Sequence, residues 1–301
     1  MSHPVRWLDA GIFRDLEDSG TNAFRIAEGP GFWIERFAST ALTSSRPGYD
    51  PRQLADSLLQ WADSIPWSPQ RIYHRQLVTG PGEKDIPVLL QGDTALSPRE
   101  TAQENGLLFE VDFSASYSPG LFPDQRANRM FLRQRKPQRL LNTFAYTCAF
   151  SVVTASVGAL TSSVDVSKSS LQRGRRNFEL NHIAAEGHRF IAEDVPTYLR
   201  RLAKRGETFD AIILDPPTFG RGGSGKTFRF ERDFGALLEA ALAVSAPGAA
   251  ILLSTNCSSW DANRLTATAR AIISHTTRFE AVPPPADFST SSPSATVWAL
   301  L

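Results

Sequence analysis

Asp215 stands between the apolar run Ala211-Ile212-Ile213-Leu214 and the pair Pro216-Pro217, and Cys257 follows a second apolar run, Ala250 to Ser254. A continuous run of this kind is expected of a parallel strand covered on both faces. The prolines allow neither helix nor ladder to continue past Asp215. Its carboxylate is thereby fixed at the carboxyl end of a strand, where it and the carbonyls around the prolines can accept hydrogen bonds from a planar NH-bearing group. The plainer role for Asp215 is to cap a following helix. As a thiolate, Cys257 offers a nucleophile on the same edge, although most lone cysteines serve as packing. Cys148 reads as structural.

The surrounding segments must position these groups. Leu140 to Phe144 predicts a strand with the polar Asn142 near its end, and Ala149 to Ala159 a helix. Ser162 to Asp165 closes a second strand on an acid, with Ser167 and Lys168 opening a helix through Leu180. His188 to Asp194 again ends in acid, Tyr198 to Lys204 is helical, and Phe209 to Asp215 is the fourth strand. This alternation predicts an α/β fold with a Rossmann-like, doubly wound parallel sheet. Asp165, Asp194 and Asp215 then share the sheet edge where ligands bind in such folds. An acid after the second strand suits ribose hydroxyls, and one after the third suits an adenine amino group. No G-x-G-x-x-G follows the first strand, so a pyrophosphate cradle for NAD or FAD is poorly supported. Adenosine without pyrophosphate fits better, and S-adenosylmethionine is the common cofactor of that kind.

Gly220 to Thr227 satisfies the G-x-x-x-x-G-K-[ST] phosphate-loop expression, which opens the alternative of a nucleotide hydrolase. A phosphate loop should leave its strand directly and run into a helix. Here Pro216 to Phe219 intervene, and the later strand Ile251 to Asn256 ends in Asn rather than a magnesium-holding Asp. The plainer reading is a glycine-rich loop whose Arg221, Lys226 and Arg229 could contact phosphates of a polymer.

Several blocks occur together and in order: Gly120 to Arg129 (GLFPDQRANR), Asn142 to Thr147 (NTFAYT), Val164 to Ser167 (VDVS), Asp194, Asp215 to Phe219 (DPPTF) and Ser254 to Ser258 (STNCS). Across residues 118–260 the chain resembles the RlmI and RlmK-like group of bacterial 23S rRNA methyltransferases. The resemblance implies a class I S-adenosylmethionine-dependent methyltransferase. It places Phe122, Gln125 and Arg126 on the methionine side, and Asn142, Phe144, Tyr146 and Thr147 under the sulfonium. Asp165, Val166 and Ser167 would lie at the ribose, and Asp194 and Val195 at the adenine. Asp215, Pro216 and Pro217 would face the methyl acceptor. It aligns Cys257 with the cysteine of cytosine-C5 members, whereas the DPPTF block is closer to guanine-N7 members, so both chemistries stay open. Cys148 stands where such proteins usually place Gly, a side chain that could crowd the cofactor. The PUA-type RNA-binding module that many members carry at the amino terminus is not recognisable.

At 301 residues, 42% hydrophobic, the chain fits about two domains: residues 1–117, mixed α/β or β-rich, and a methyltransferase domain over 118–301. In the first part, Gln53 to Trp61 predicts a helix, and Arg71 to Val78, Val88 to Gln91 and Leu107 to Phe113 predict strands. Arg71, His74 and Arg75 read as a solvent-facing strand surface or an RNA contact, and Trp7, Phe32 and Trp33 as core or base-stacking residues. The net charge is only +1, with basic clusters at Arg129 to Arg139, Arg173 to Arg176 and Arg200 to Arg205, which are solvated faces or contacts to RNA, expected to be ribosomal. Two cysteines suit a reducing cytoplasm. No metal-ligand spacing, membrane-length apolar segment or secretory layout is expected to operate. A small-molecule methyltransferase and a non-catalytic RNA-binding protein complete the alternatives.

Overall fold

The computed structural model describes residues 5–77, 86–115, 118–221, 227–273, 277–289 and 294–301. The chain divides into two compact units, Met1–Pro123 with Ala286–Ser289, and Asp124–Pro285 with Thr290–Leu301.

The first unit runs β1 (Arg6–Trp7), α1 (Ala10–Asp18), β2 (Ala23–Gly29), β3 (Phe32–Phe37), β4 (Thr40–Ser45), α2 (Pro51–Ala62), β5 (Arg71–Gln76), β6 (Val88–Gln91), β7 (Arg99–Glu104) and β8 (Leu107–Asp112). Strands β1 to β6 form one sheet in chain order, and β7 and β8 a separate pair. Among the described residues of this unit, β4 and β5 are the strands that pair in parallel, because α2 is the crossover between them. Asp50 caps that helix through the Arg52 amide with Pro51 at its first turn, the favoured start for a proline. Trp7 stacks on Trp61 at 5.4 Å, and Phe32 is buried, so both serve the core. Arg71, His74 and Arg75 are not solvent-facing, as a polar strand had suggested; all three are buried. Arg71 pairs with Glu100, and His74 Nδ1 meets Thr43 Oγ1 at 2.9 Å. Internal partners replaced water for these groups.

The second unit comprises α3 (Arg126–Arg135), β9 (Arg139–Thr143), α4 (Ala149–Ala155), β10 (Leu160–Asp165), α5 (Lys168–Leu180), β11 (Arg189–Ala192), α6 (Val195–Lys204), β12 (Phe209–Leu214), β13 (Phe219–Arg221), β14 (Thr227–Arg229), α7 (Phe230–Leu242), β15 (Ser245–Thr255), α8 (Ala262–Arg270), β16 (Arg278–Glu280) and β17 (Ala295–Leu300). Its main sheet is ordered β11-β10-β9-β12-β15-β17-β16. The first five strands in that order are mutually parallel, and β17 runs antiparallel to both neighbours. The order reverses beside β9, between the β10 and β12 sides, which is the switch point where such sheets hold ligands. Leu141, Ile212, Leu214, Ile251 and Leu253 fill one face with Phe230, Phe234 and Leu238 of α7. Leu140, Ile213, Ala250 and Leu252 fill the other with Leu132 and Trp298. Apolar cover on both faces is why these strands read as unbroken runs. Among the described residues, no helix is long and apolar enough to cross a membrane.

Candidate active site

The parallel register aligns the strand ends. Thr143, Val164, Leu214 and Leu253 lie side by side across β9, β10, β12 and β15. One residue further on come Phe144, Asp165, Asp215 and Ser254, and Asp165 is level with Ala192 of β11, two residues before Asp194. The three acids therefore follow neighbouring or near-neighbouring strands on one edge.

On the β10 side, Asp165 is held at both oxygens: Oδ2 accepts from the Tyr146 amide at 2.9 Å and Oδ1 from the Ser167 amide at 2.8 Å. A carboxylate has about four acceptor positions, so two anchored oxygens still have capacity for ribose hydroxyls. The loop between β9 and α4 is bent by left-handed backbone at Phe144, Tyr146 and Cys148. Val166, next to Asp165, is 56% exposed, an apolar side chain that could cover the face of a base. Ser167 caps α5 through the Ser170 amide. This set fits an adenosyl group. Asp194 caps α6, its Oδ2 accepting from the Thr197 amide and hydroxyl, with Val195 buried beneath it. Asn142 is buried and donates to Ser151 at 3.0 Å, which places its amide under α4 in the floor of the loop. Thr147 is buried, and Asn177 donates to its carbonyl. Phe122 belongs to the first unit; Arg126 opens α3 and is buried.

Cys148 has φ of 63°, a conformation in which glycine is the default. Its side chain is fully buried toward α5, where a Cβ on Gly174 would lie 2.4 Å from its sulfur. The thiol thus occupies space left by Gly174. Burial pushes its pKa up to about 12, which makes it inert. We expect Gly174→Ala to destabilise the protein by about 1–3 kcal/mol through overpacking. Adding Cys148→Gly should recover most of that loss in urea unfolding, and a loss unchanged by the second substitution would contradict this packing.

On the β12 side, Asp215 retains some exposure as a residue, yet its carboxyl group is enclosed. Burial foremost pushes its pKa up to about 6, with Asp124 adding to the rise and Ser254 and Arg129 opposing it. The neutral form is favoured by folding, so this contribution to stability is complete below about pH 4 and fades as pH rises through about 6. A carboxylate kept there at neutral pH costs the fold energy, as functional groups often do. Pro216 is buried and Pro217 exposed. Thr218 donates to Asn256 at 2.7 Å, tying the proline turn to the end of β15. Phe219 is 69% exposed.

A cavity of about 680 Å³ opens beyond β15 and β17, with Asp124, Gln125, Asn128, Cys257 and Trp260 among its walls. Asp165, Asp194 and Asp215 do not line it, so it lies apart from those three acids. Cys257 is partly exposed, and its sulfur is 3.2 Å from Ser259 Oγ, which donates to Glu231 at 2.7 Å. Ser259 and Glu231 carried no signal in the sequence, since neither belongs to a recognisable pattern.

The flanks of the phosphate-loop expression form a hairpin. Phe219 to Arg221 pair antiparallel with Thr227 to Arg229, so the segment does not pass from strand to helix as a phosphate loop does. Gly222 to Lys226 of that expression lie outside the described residues.

The sequence profile of the S-adenosylmethionine-dependent methyltransferase family matches residues 90–301. Ribosomal RNA large subunit methyltransferase I of Yersinia pseudotuberculosis serotype O:1b (strain IP 31758) is 33% identical over 270 residues, which is 84% of this chain and 64% of that protein. YwbD of Bacillus subtilis (strain 168), provisionally named a ribosomal RNA large subunit methyltransferase, is 41% identical over 161 residues, 52% of this chain and 40% of its own length. The chain therefore spans less than two thirds of either relative. Among solved structures, a protein described provisionally as a methyltransferase and crystallised with SAH aligns with TM-score 0.82 at 23% identity, over 97% of this chain and 79% of that one. The last comparison shows a shared fold, and the first two bear out the resemblance read from the sequence blocks.

Proposed function

Because the chain belongs to the S-adenosylmethionine-dependent methyltransferase family, with S-adenosylmethionine as its cofactor, we propose that it methylates a base of ribosomal RNA, and that the base is a cytosine modified at C5 through Cys257. The observation that carries the RNA reading is the 33% identity over 84% of the chain to an enzyme named for large-subunit rRNA. The choice of C5 rests on Cys257 being partly exposed just beyond the end of β15, the strand next to the one that leads into Asp215, while the other cysteine, Cys148, is sealed in the core.

The sulfonium of the cofactor supplies an electrophilic methyl group. Asp165, Val166 and the loop at Phe144 to Thr147 would hold the adenosyl portion, with Asp194 at its far end. Cytosine C5 is a poor nucleophile until a thiolate adds to C6, which makes C5 enamine-like; after methylation, loss of the C5 proton expels the thiolate. Asp215, as a carboxylate, would accept hydrogen bonds from the base and hold it during that addition. The remaining task of the site is alignment and exclusion of water.

The test is mass spectrometry of rRNA nucleosides from cells lacking the protein. We expect one 5-methylcytosine position to lose its methyl group and regain it on complementation. Identical rRNA profiles would overturn the RNA reading in favour of a small-molecule acceptor. A missing methylguanosine would instead assign direct attack by a ring nitrogen, the chemistry to which the DPPTF block is closer.

A further inference from the structure

Four buried polar side chains from three elements and one short turn join end to end beside Asp215. The indole Nε1–H of Trp298 on β17 donates to Asn128 Oδ1 at 2.9 Å. Asn128 Nδ2 donates to Gln125 Oε1 at 2.9 Å, and Gln125 Nε2 donates to Ser254 Oγ at 3.1 Å. Ser254 follows Leu253, which is paired with Leu214, and Asp215 follows Leu214. Adjacent residues on parallel strands present side chains to the same face, so the hydroxyl and the carboxyl are neighbours at the sheet edge.

The chain has a direction. An indole can only donate, so Asn128 must turn its oxygen to Trp298 and its NH₂ to Gln125. Gln125 must then turn its own NH₂ to Ser254. With an acceptor position of that hydroxyl filled from behind, its single proton is left to point forward. The donor-only end group thus settles both amide orientations, which are otherwise ambiguous. All four residues are buried, where a misoriented amide would leave polar groups unpaired at high cost.

We propose that Trp298, Asn128 and Gln125 form a one-way positioning relay that aims the Ser254 hydroxyl proton at Asp215, which puts Gln125 on the acceptor side of the site rather than the cofactor side. The inference rests on the reading of Asp215 as the carboxyl that holds the methyl acceptor. Ser254 and Asp215 stand at the same level, one residue beyond the Leu253–Leu214 pair of adjacent parallel strands, and the hydroxyl acts to lower the pKa of the carboxyl. The charged groups that also act on Asp215 are Asp124 and Arg129, and both are left untouched in the test.

The experiment follows the titration of the Asp215 carboxyl by ¹³C NMR in the full chain without RNA, alongside calorimetric binding of S-adenosylhomocysteine. Ser254→Ala is expected to move the midpoint upward by about one pH unit, the equivalent of losing a modest hydrogen bond to a charged group. Trp298→Phe and Gln125→Met should each move it in the same direction by less, and neither should move it further once Ser254 is alanine. Gln125→Met serves if Trp298→Phe does not fold, and its affinity for S-adenosylhomocysteine should stay within about twofold of the parent's. A midpoint indifferent to both distant substitutions, shifts that persist in the Ser254→Ala background, or a tenfold loss of cofactor affinity in Gln125→Met would each overturn the relay. A coupled titration in a protein that methylates no RNA would retain the relay and reject the acceptor reading.

Discussion

Asp165→Ala is expected to weaken S-adenosylhomocysteine binding by about 100-fold or more. The carboxylate anchors the Tyr146 amide at one oxygen and the Ser167 amide at the other. Removing it deletes the acceptor proposed for ribose and also releases the loop after β9. Each hydrogen bond to a charged group contributes roughly 1.5–3 kcal/mol, and two of them correspond to at least two orders of magnitude in affinity. Asp165→Asn should lose less, because its side-chain oxygen can still accept from one amide while its NH₂ cannot replace the other acceptor. Calorimetry reads both variants, with near-ultraviolet circular dichroism to show that packing is intact. Affinity within about threefold of the parent in Asp165→Ala would remove this residue from the cofactor site.

Cys257→Ala is expected to lower methyl transfer by at least about 10³-fold while leaving cofactor affinity unchanged, since loss of a covalent nucleophile removes the route rather than one interaction within it. The side chain is small and partly exposed, so truncation leaves little cavity and the fold should survive. A second readout does not depend on turnover. RNA carrying 5-fluorocytosine offers no C5 proton to lose, so a thiolate adduct should persist through denaturing electrophoresis with the parent protein and vanish with Cys257→Ala. Full turnover in the alanine variant would exclude the covalent route and leave direct attack by a ring nitrogen, with Ser259 and Glu231 then serving only as surface packing around the thiol.

The second unit was legible because its physics is local. β12 is a buried, mostly apolar run that leads into Asp215, β10 closes on Asp165, and Asp194 follows β11 by two residues as the cap of α6, so all three acids were visible where strands give way to polar residues. The final strand, Ala295–Leu300, was also read directly. The beginning of β15 was not: its first residues contain Pro247 and Gly248, which read as a break, but the ladder with β12 absorbs them in an irregularity between Phe209 and Ala211. The return of Ala286–Ser289 to the first unit has no local signature at all.

The first unit hid its sheet behind charge. Arg25 on β2 lies directly opposite Glu35 on β3, and the two side chains pair at 3.0 Å in the interior. A strand carrying Arg or Glu at a buried position breaks the alternation by which strands are recognised, and the partner that makes it tolerable is ten residues away. The same reason explains Arg71, His74 and Arg75. The chain from Trp298 to Ser254 was invisible for a related cause: Gln125, Asn128, Ser254 and Trp298 are scattered through the sequence, and only the fold brings them together. Gln125 was singled out for the methionine end of the cofactor, and nothing in its own sequence context announced that its amide joins Ser254 to Asn128.

The most direct measurement is a crystal structure of the full chain with S-adenosylhomocysteine. The account predicts ribose hydroxyls on the carboxylate of Asp165, the adenine toward Asp194, and the sulfur directed along the sheet edge toward Asp215. Nucleoside density against the strands Phe219–Arg221 and Thr227–Arg229, or a ribose held away from Asp165, would contradict it.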